Sequence, residues 1–393
     1  MRVEWYRSQV VPPGSEGVPD LVDRVRAEIE SSGPITFARF MERALYEPGL
    51  GYYATSASRP TRAGDFLTAP ELHPLFGHVV ARQVDEIWRR MGRPDKFTLS
   101  EYGSSGGALF LALLDGLVRI DSPLAAQVRY RPVDLPLQQR RAGEALGLAG
   151  LAERLDSGEA DSPFIGCVIA NEFVDALPVH RVARIDGRLQ ELYIGRREGA
   201  FVEMPDEPSD ARLETWFAAA GITLAEGQHA EVNLAMLDWL AEVGRRLERG
   251  CVLIFDYGER AADLYGPERL TGSLRAFAGQ HVSSDVLGGM GTRDITAHVD
   301  LDALERGAAA ASLDVLGTTR QAEFLLGSGL DEAYAAARRE AETDWHAALA
   351  LRSTVRRLLD PQALGGYWVV ILGRGFESQP SLIGLSSPAA RSA

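Results

Sequence analysis

The chain has 393 residues, 46% of them hydrophobic and 24% charged, the balance of a water-soluble globular protein with room for more than one domain. With 55 acidic against 41 basic residues the net charge is −14, which excludes a general nucleic-acid binder and a surface held to anionic lipid by charge. Cys167 and Cys251 stand in separate apolar runs with no metal-ligand spacing, so they read as buried apolar residues of a reducing compartment.

The N-terminus lacks the apolar core of a signal peptide, and the longest apolar runs, such as Tyr367–Gly373, are too short for a membrane span. The expectation is a cytoplasmic, bacterial protein with no membrane partner. Residues 1–92 form the first region. After a Pro- and Gly-rich lead-in, Leu21–Ser31 has Leu21, Val22, Val25 and Ile29 at helical spacing, and Ser32-Gly33-Pro34 stops it. A second helix is expected from Thr36 to Tyr46. Residues 49–72 then interleave Tyr52, Tyr53 and Phe66 with Gly49, Gly51 and Gly64 at no regular period. Such a loop covers a site as a lid or fills a core edge with its tyrosines. Leu75–Met91 is a helix with Phe76, Val79, Val80, Val84 and Ile87 inward.

Residues 93–178 begin a strand–turn–helix unit. Phe97–Leu99 reads as a strand and Ala108–Leu117 as a helix. Between them, Gly103, Ser104, Ser105, Gly106 and Gly107 leave backbone N–H groups open to a ligand. Glu101, just before the first glycine, suits an ammonium group and disfavours a pyrophosphate. Glu101 with Gly103 and Gly107 therefore favours S-adenosylmethionine over a dinucleotide. Gln127–Asp134 is a strand ending in an acid, so Asp134 either accepts hydrogen bonds from two ribose hydroxyls or caps the following helix. Phe164–Ala170 is continuously apolar, as in a central parallel strand, and delivers Asn171, Glu172 and Asp175 to its C-terminal end, where open α/β sheets bind ligands.

Residues 179–250 read as an insertion. Asp186-Gly187 and Glu198-Gly199 mark two hairpin turns of an antiparallel meander, and 205–250 reads as helical. Residues 251–375 resume the core with Cys251–Phe255 before Asp256 and Tyr257, then Asp294–Asp300, which presents His298. A helix over 301–311, a strand over 313–319, one long helix over 331–359 and a last strand over 366–373 follow. Residues 376–393, rich in Ser, Pro and Ala, read as disordered.

In this order, Phe40-Met41 with Leu45-Tyr46, Gly51-Tyr52-Tyr53, Gly64-Asp65-Phe66, the glycine turn, Asn171-Glu172-Phe173 with Asp175-Ala176-Leu177-Pro178, Asp256-Tyr257-Gly258 and Asp294–Asp300 resemble one family. It is the MidA-like family of S-adenosylmethionine-dependent methyltransferases, relatives of the mitochondrial complex I assembly factor 7, a protein arginine methyltransferase. The resemblance runs from about Ile35 to Gly373. It implies an α/β class I methyltransferase (Rossmann-like) fold: a seven-stranded sheet with an antiparallel last strand, an N-terminal helical and lid region, and an inserted accessory region. It implies S-adenosylmethionine as cofactor, held by Glu101, Gly103, Ser105, Gly107, Asp134 and Asn171. Glu172, Asp175 and His298 are then the catalytic candidates on the acceptor side, with Asp256 and Tyr257 beside them. For an arginine acceptor, Glu172 and Asp175 would orient the guanidinium, and for a small-molecule hydroxyl or carbon, His298 would be the base. Ser105 stands where the family has glycine, and a left-handed serine costs about 1 kcal/mol or more. That departure motivates the alternative, a methyltransferase-like fold that acts as a binding or assembly module or catalyses a different reaction on a small molecule. A homodimer is a further expectation, with residues 179–250 as its contact surface.

Overall fold

The computed structural model describes residues 17–55, 69–156, 158, 162–278, 281–376 and 381–386. The chain divides into two compact units, each assembled from three stretches of sequence. One comprises 1–66, 174–239 and 258–306, and the other 67–173, 240–257 and 307–393. Two expected boundaries therefore move. The helix Leu75–Arg90 belongs with the glycine turn and not with the N-terminal region, and 258–306 leaves the expected core to join the stretch that contains the meander. Hydrophobic contact decides both, because Phe76 packs on Phe255 while Leu274, Ile295 and Ala297 share a cluster with Phe37 and Phe201.

The unit holding the glycine turn is built on a six-stranded sheet. Its strands are β1 (Thr98–Tyr102), β2 (Arg129–Val133), β3 (Phe164–Asn171), β4 (Leu247–Asp256), β5 (Asp314–Arg320) and β6 (Trp368–Arg374), in the order β5-β6-β4-β3-β1-β2. β1 to β4 pair in parallel, and β6 runs antiparallel to both neighbours, as expected of the last strand. The expected count of seven is corrected to six among the described residues. Beyond β2, among the described residues, one parallel bridge forms, Tyr130 with Leu155, directly after the 3₁₀ turn Ala152–Arg154. Alternate residues Leu99, Cys167, Ile169, Cys251, Leu253 and Phe255 point into one core against the helices Leu75–Arg90 and Ala108–Arg119. Cys167 and Cys251 are register partners on β3 and β4, both free thiols, and burial pushes the Cys167 thiol up to about 12.

The expected single helix over 331–359 is two, Leu330–Glu340 and Trp345–Leu359. Asp344 starts the second by accepting from His346 N and Ala347 N. The expected disorder after 376 is corrected at 381–386. There Leu382 is fully buried, Ile383 N donates to Glu86 and Gly384 N to Gln83, and a Cβ on Gly384 would stand 2.4 Å from the Phe324 ring.

The other unit holds a five-stranded antiparallel sheet. Its meander His180–Ile185, Arg188–Arg197 and Ala200–Asp206 turns where expected, with left-handed φ at Asp186, Gly187, Glu198 and Gly199. The reading of 205–250 as helical is corrected at His229–Val232, a strand that pairs with His180–Ala183 between two helices. The helices Pro19–Ser32 and Phe37–Tyr46 bury their apolar faces beside this sheet, Phe40 meeting Phe201 edge-on at 5.5 Å. No described helix is long and apolar enough to cross a membrane.

Candidate functional site

The turn after β1 is made by four residues in the left-handed region: Gly103 (φ 68°), Ser105 (46°), Gly106 (93°) and Gly107 (81°). Gly107 N closes it on Ser104 O at 2.8 Å, and the helix Ala108–Arg119 starts from Gly107. Gly103 also provides close approach, since a Cβ there would stand 3.3 Å from the Phe173 ring. Serine at 105 does adopt the conformation that glycine would hold without strain.

Asp134 offsets part of that strain. Its Oδ2 accepts from Ser105 N at 2.9 Å and Ser104 Oγ at 3.3 Å, and its Oδ1 accepts from Leu135 N at 2.7 Å. The sequence argument left two roles for this acid, ribose anchor or helix cap. The helix Pro136–Leu148 starts from Leu135 with no side-chain cap, so Asp134 does not cap it, and its clasp on the glycine turn is a third role that sequence spacing does not reveal.

Glu101 is buried on β1, and its Oε2 accepts from Tyr130 Oη at 2.7 Å. Burial pushes its carboxyl up to about 8, with the nearby Asp134 charge adding to the shift. Tyr130 is itself held by stacking on Phe110 at 4.1 Å between centroids. Sequence reading missed Tyr130. Its one available signal was a polar-tipped aromatic in the strand beside β1.

At the end of β3, Asn171 Nδ2 donates to Glu172 Oε1 at 3.2 Å, and Ala69 N donates to the same oxygen at 3.3 Å. Asn171 Oδ1 is buried and has no hydrogen-bond partner among the described residues. Glu172 has φ 49° while its N donates to Phe255 O at 2.8 Å, so the strand ends in a strained turn that fixes the carboxylate. Phe173 follows, against Tyr102 at 5.6 Å and against Gly103. Asp256 Oδ1 accepts from Tyr257 N at 2.9 Å, and Tyr257 packs on Tyr367.

These residues fit a bound S-adenosyl group. The turn carries no large side chain, Asn171 Oδ1 is an orphaned acceptor among the described residues, and Glu101, Asp134 and Glu172 supply carboxyl groups around one end of the sheet.

The remaining candidates lie in the unit with the antiparallel sheet. Asp175 is buried, and its O accepts from Ala297 N at 3.0 Å, which brings Asp175 beside the segment carrying His298. Tyr53 Oη donates to Asp294 Oδ1 at 2.7 Å, Tyr46 stacks on Tyr53, and Tyr46 Oη donates to Ala176 O. Tyr53 of the expected lid region is thus bonded to the motif at 294–300, with Tyr46 of the preceding helix stacked on it. The rest of that loop, 56–68 with Gly64, Asp65, Phe66 and Thr68, lies outside the described residues.

His298 N donates to Ser273 Oγ at 3.1 Å, and Arg269 Nη1 lies 3.3 Å from His298 Nδ1. Burial, with the charges of Arg269 and Arg275 added, holds the imidazole down at about 4. It is neutral at pH 7. A guanidinium only donates, so Nδ1 is the acceptor and the ring proton sits on Nε2. This opposes the expectation of His298 as base, because the nitrogen turned away from Arg269 already holds a proton.

Comparisons with known proteins agree with this geometry. Residues 79–319 match a family of S-adenosyl-L-methionine-dependent methyltransferases. The protein arginine methyltransferase NDUFAF7 homolog, mitochondrial, of Drosophila melanogaster is 31% identical over 314 residues, covering 72% of this chain and 69% of its own. The mouse protein arginine methyltransferase NDUFAF7, mitochondrial, is 28% identical over 368 residues, covering 84% and 79%. A crystal structure of a COG1565 superfamily member and likely methyl transferase from Burkholderia thailandensis, bound to S-adenosyl-homocysteine, superposes with TM-score 0.82 at 30% identity, covering 94% of this chain and 95% of that one. With a ligand-ready glycine turn, an orphaned acceptor at the strand end and likeness along nearly its whole length, the chain belongs to this family of S-adenosylmethionine-dependent methyltransferases.

Proposed function

We propose that the methyl acceptor is a guanidinium nitrogen of an arginine on another protein. The observation that carries this reading is Glu172, a carboxylate fixed in a strained turn directly after Asn171 and one residue before Phe173, which touches the glycine turn. The names of the Drosophila and mouse relatives, both protein arginine methyltransferases, support it.

Bound S-adenosylmethionine supplies an activated methyl carbon. Gly103, Ser105 and Gly107 enclose its methionine portion, Glu101 meets the ammonium, Asp134 holds the ribose hydroxyls beside its bonds to the turn, and Asn171 Oδ1 accepts from a ligand N–H. Glu172 pairs with the guanidinium through charge-assisted hydrogen bonds, aligning one nitrogen and accepting the proton it loses on methylation. A hydroxyl acceptor deprotonated by His298 is the weaker reading, because an imidazole held down at about 4 is a poor base and its Nδ1 is engaged by Arg269.

The test is incubation of the purified protein with S-adenosylmethionine and arginine-containing peptides, with fragment mass spectra read for methylarginine. Glu172→Gln should lower kcat by about 10²- to 10⁴-fold while S-adenosylhomocysteine affinity changes little. Methyl transfer to hydroxyl compounds with none to arginine would overturn the acceptor reading.

A further inference from the structure

Glu101 and Tyr130 stand on the neighbouring parallel strands β1 and β2, where Tyr130 is the register partner of Leu99 and Pro132 that of Glu101. Alternation puts both side chains on one face, diagonal to each other, and Pro132 offers the carboxyl no donor. On the other side the register partner of Glu101 is Ile169 of β3, which is apolar. The Tyr130 hydroxyl, donating to Oε2 at 2.7 Å, is the hydrogen bond that the described residues give this buried carboxyl, and Oε1 carries none among them. The Tyr130 ring is fixed as well. It is fully buried and lies on Phe110 at 4.1 Å between centroids and 11° between planes. It also reaches the glycine turn, where a Cβ on Gly107 would stand 3.6 Å from its Cε1. One side chain thus touches the acid, the turn and the helix that starts from the turn.

We propose that Tyr130 is a positioning residue for the cofactor: its hydroxyl holds Glu101 by Oε2 in the charged form, which leaves Oε1 to meet the ammonium group of S-adenosylmethionine. The inference rests on the reading that Glu101 meets that ammonium. A carboxylate gains more from a donor than the neutral acid does, so the bond works against burial and the Asp134 charge, which push the carboxyl up to about 8. Among the described residues, Tyr130 and Asp134 are the titratable groups that face Glu101. Burial pushes the Tyr130 phenol up, so it keeps its proton and remains a donor while Glu101 ionises. Because an ammonium pairs with the carboxylate and not with the acid, affinity for a ligand that carries one should rise with pH as Glu101 ionises.

Calorimetric titration of the full-length protein with S-adenosylhomocysteine, between about pH 6 and 8.5, reads this profile. In the unsubstituted protein Kd should fall as pH rises. Tyr130→Phe keeps the ring and loses the hydroxyl. Its profile should lie about one pH unit higher, with binding about tenfold weaker near pH 6.5 and the gap narrowing as pH rises. Deamino-S-adenosylhomocysteine, in which hydrogen replaces the ammonium group, should gain no affinity with pH and should lose less than about twofold in Tyr130→Phe. A merely structural role would weaken both ligands alike at every pH. That result overturns the inference, as does a profile that Tyr130→Phe leaves unmoved.

Glu101→Gln separates the positioning role from the ammonium reading. If Glu101 meets the ammonium, this substitution flattens the profile for S-adenosylhomocysteine, and adding Tyr130→Phe to it should change Kd by less than about twofold. A profile flattened by Glu101→Gln but unmoved by Tyr130→Phe rejects the positioning role alone. A profile already flat in the unsubstituted protein, or one that survives Glu101→Gln, rejects the ammonium reading and the positioning role with it.

Discussion

Ser105 occupies a left-handed position with a β-carbon, and the Asp134 carboxylate is bonded to its N–H. Ser105→Gly should raise stability by up to about 1 kcal/mol, the relieved strain being partly offset by the greater freedom of glycine in the unfolded chain. Asp134→Ala leaves Ser105 N and Leu135 N without this acceptor and should cost about 1–3 kcal/mol. Urea denaturation with an unchanged slope checks both. Glu101 carries a pH dependence whose sign follows from its raised pKa. The unfolded carboxyl ionises near 4.5, while the buried one keeps its proton up to about 8. Its contribution is therefore fully present below about 4.5 and is lost as pH rises through about 8. The stability of the unsubstituted protein should fall across that window relative to Glu101→Gln. If Glu101 meets the cofactor's ammonium, binding of S-adenosylmethionine at pH 7 should release a proton. Calorimetry in buffers of different ionisation enthalpy reads it, and Glu101→Gln should abolish it.

At the scale of elements, the helices Leu75–Arg90 and Ala108–Arg119 touch through small residues. A Cβ on Gly77 would fall 2.5 Å from Ala112 Cβ, and one on Gly116 would fall 2.7 Å from His78 Cα. Gly116→Ala should therefore destabilise by about 1–3 kcal/mol despite alanine's better helix propensity, a result denaturation would reveal. Removal of 381–393 should cost about 1.5–3 kcal/mol or more through the lost burial of Leu382 alone. The helices and parallel strands were legible because burial imprints a period on sequence. Phe164–Ala170 is apolar throughout, Leu75–Arg90 is apolar on one side, and both formed as read. The strand His229–Val232 was not legible, since four residues between helical segments carry too little period. Nor was it legible that, among the described residues, pairing beyond β2 stops at the single Tyr130–Leu155 bridge. The ordered stretch at 381–386 escaped because polar composition said disorder, while Leu382 and Gly384 fit sites made by Gln83, Glu86 and Phe324 from remote sequence.

For the whole molecule, likeness to the S-adenosyl-homocysteine-bound structure over 94% of the chain makes ligand stabilisation the broadest test. S-adenosylhomocysteine at about 100 times its Kd should stabilise the protein by about 2.7 kcal/mol, seen as a rise in Tm that depends on ligand concentration. No rise would contradict the cofactor assignment itself. The amino-acid order by itself determined the glycine turn, the acid at the end of β2, the polar cluster after β3 and the hairpins of the meander. Each depends on neighbours in sequence, where backbone preference and alternation act within a few residues. Only the tertiary structure decided what these groups do to one another. Asp134 clasps Ser105, Tyr130 engages Glu101, and Arg269 and Ser273 hold His298 from 25 or more residues away. The physical reason is that protonation and hydrogen bonding answer to distance and burial in space, which a linear sequence does not express.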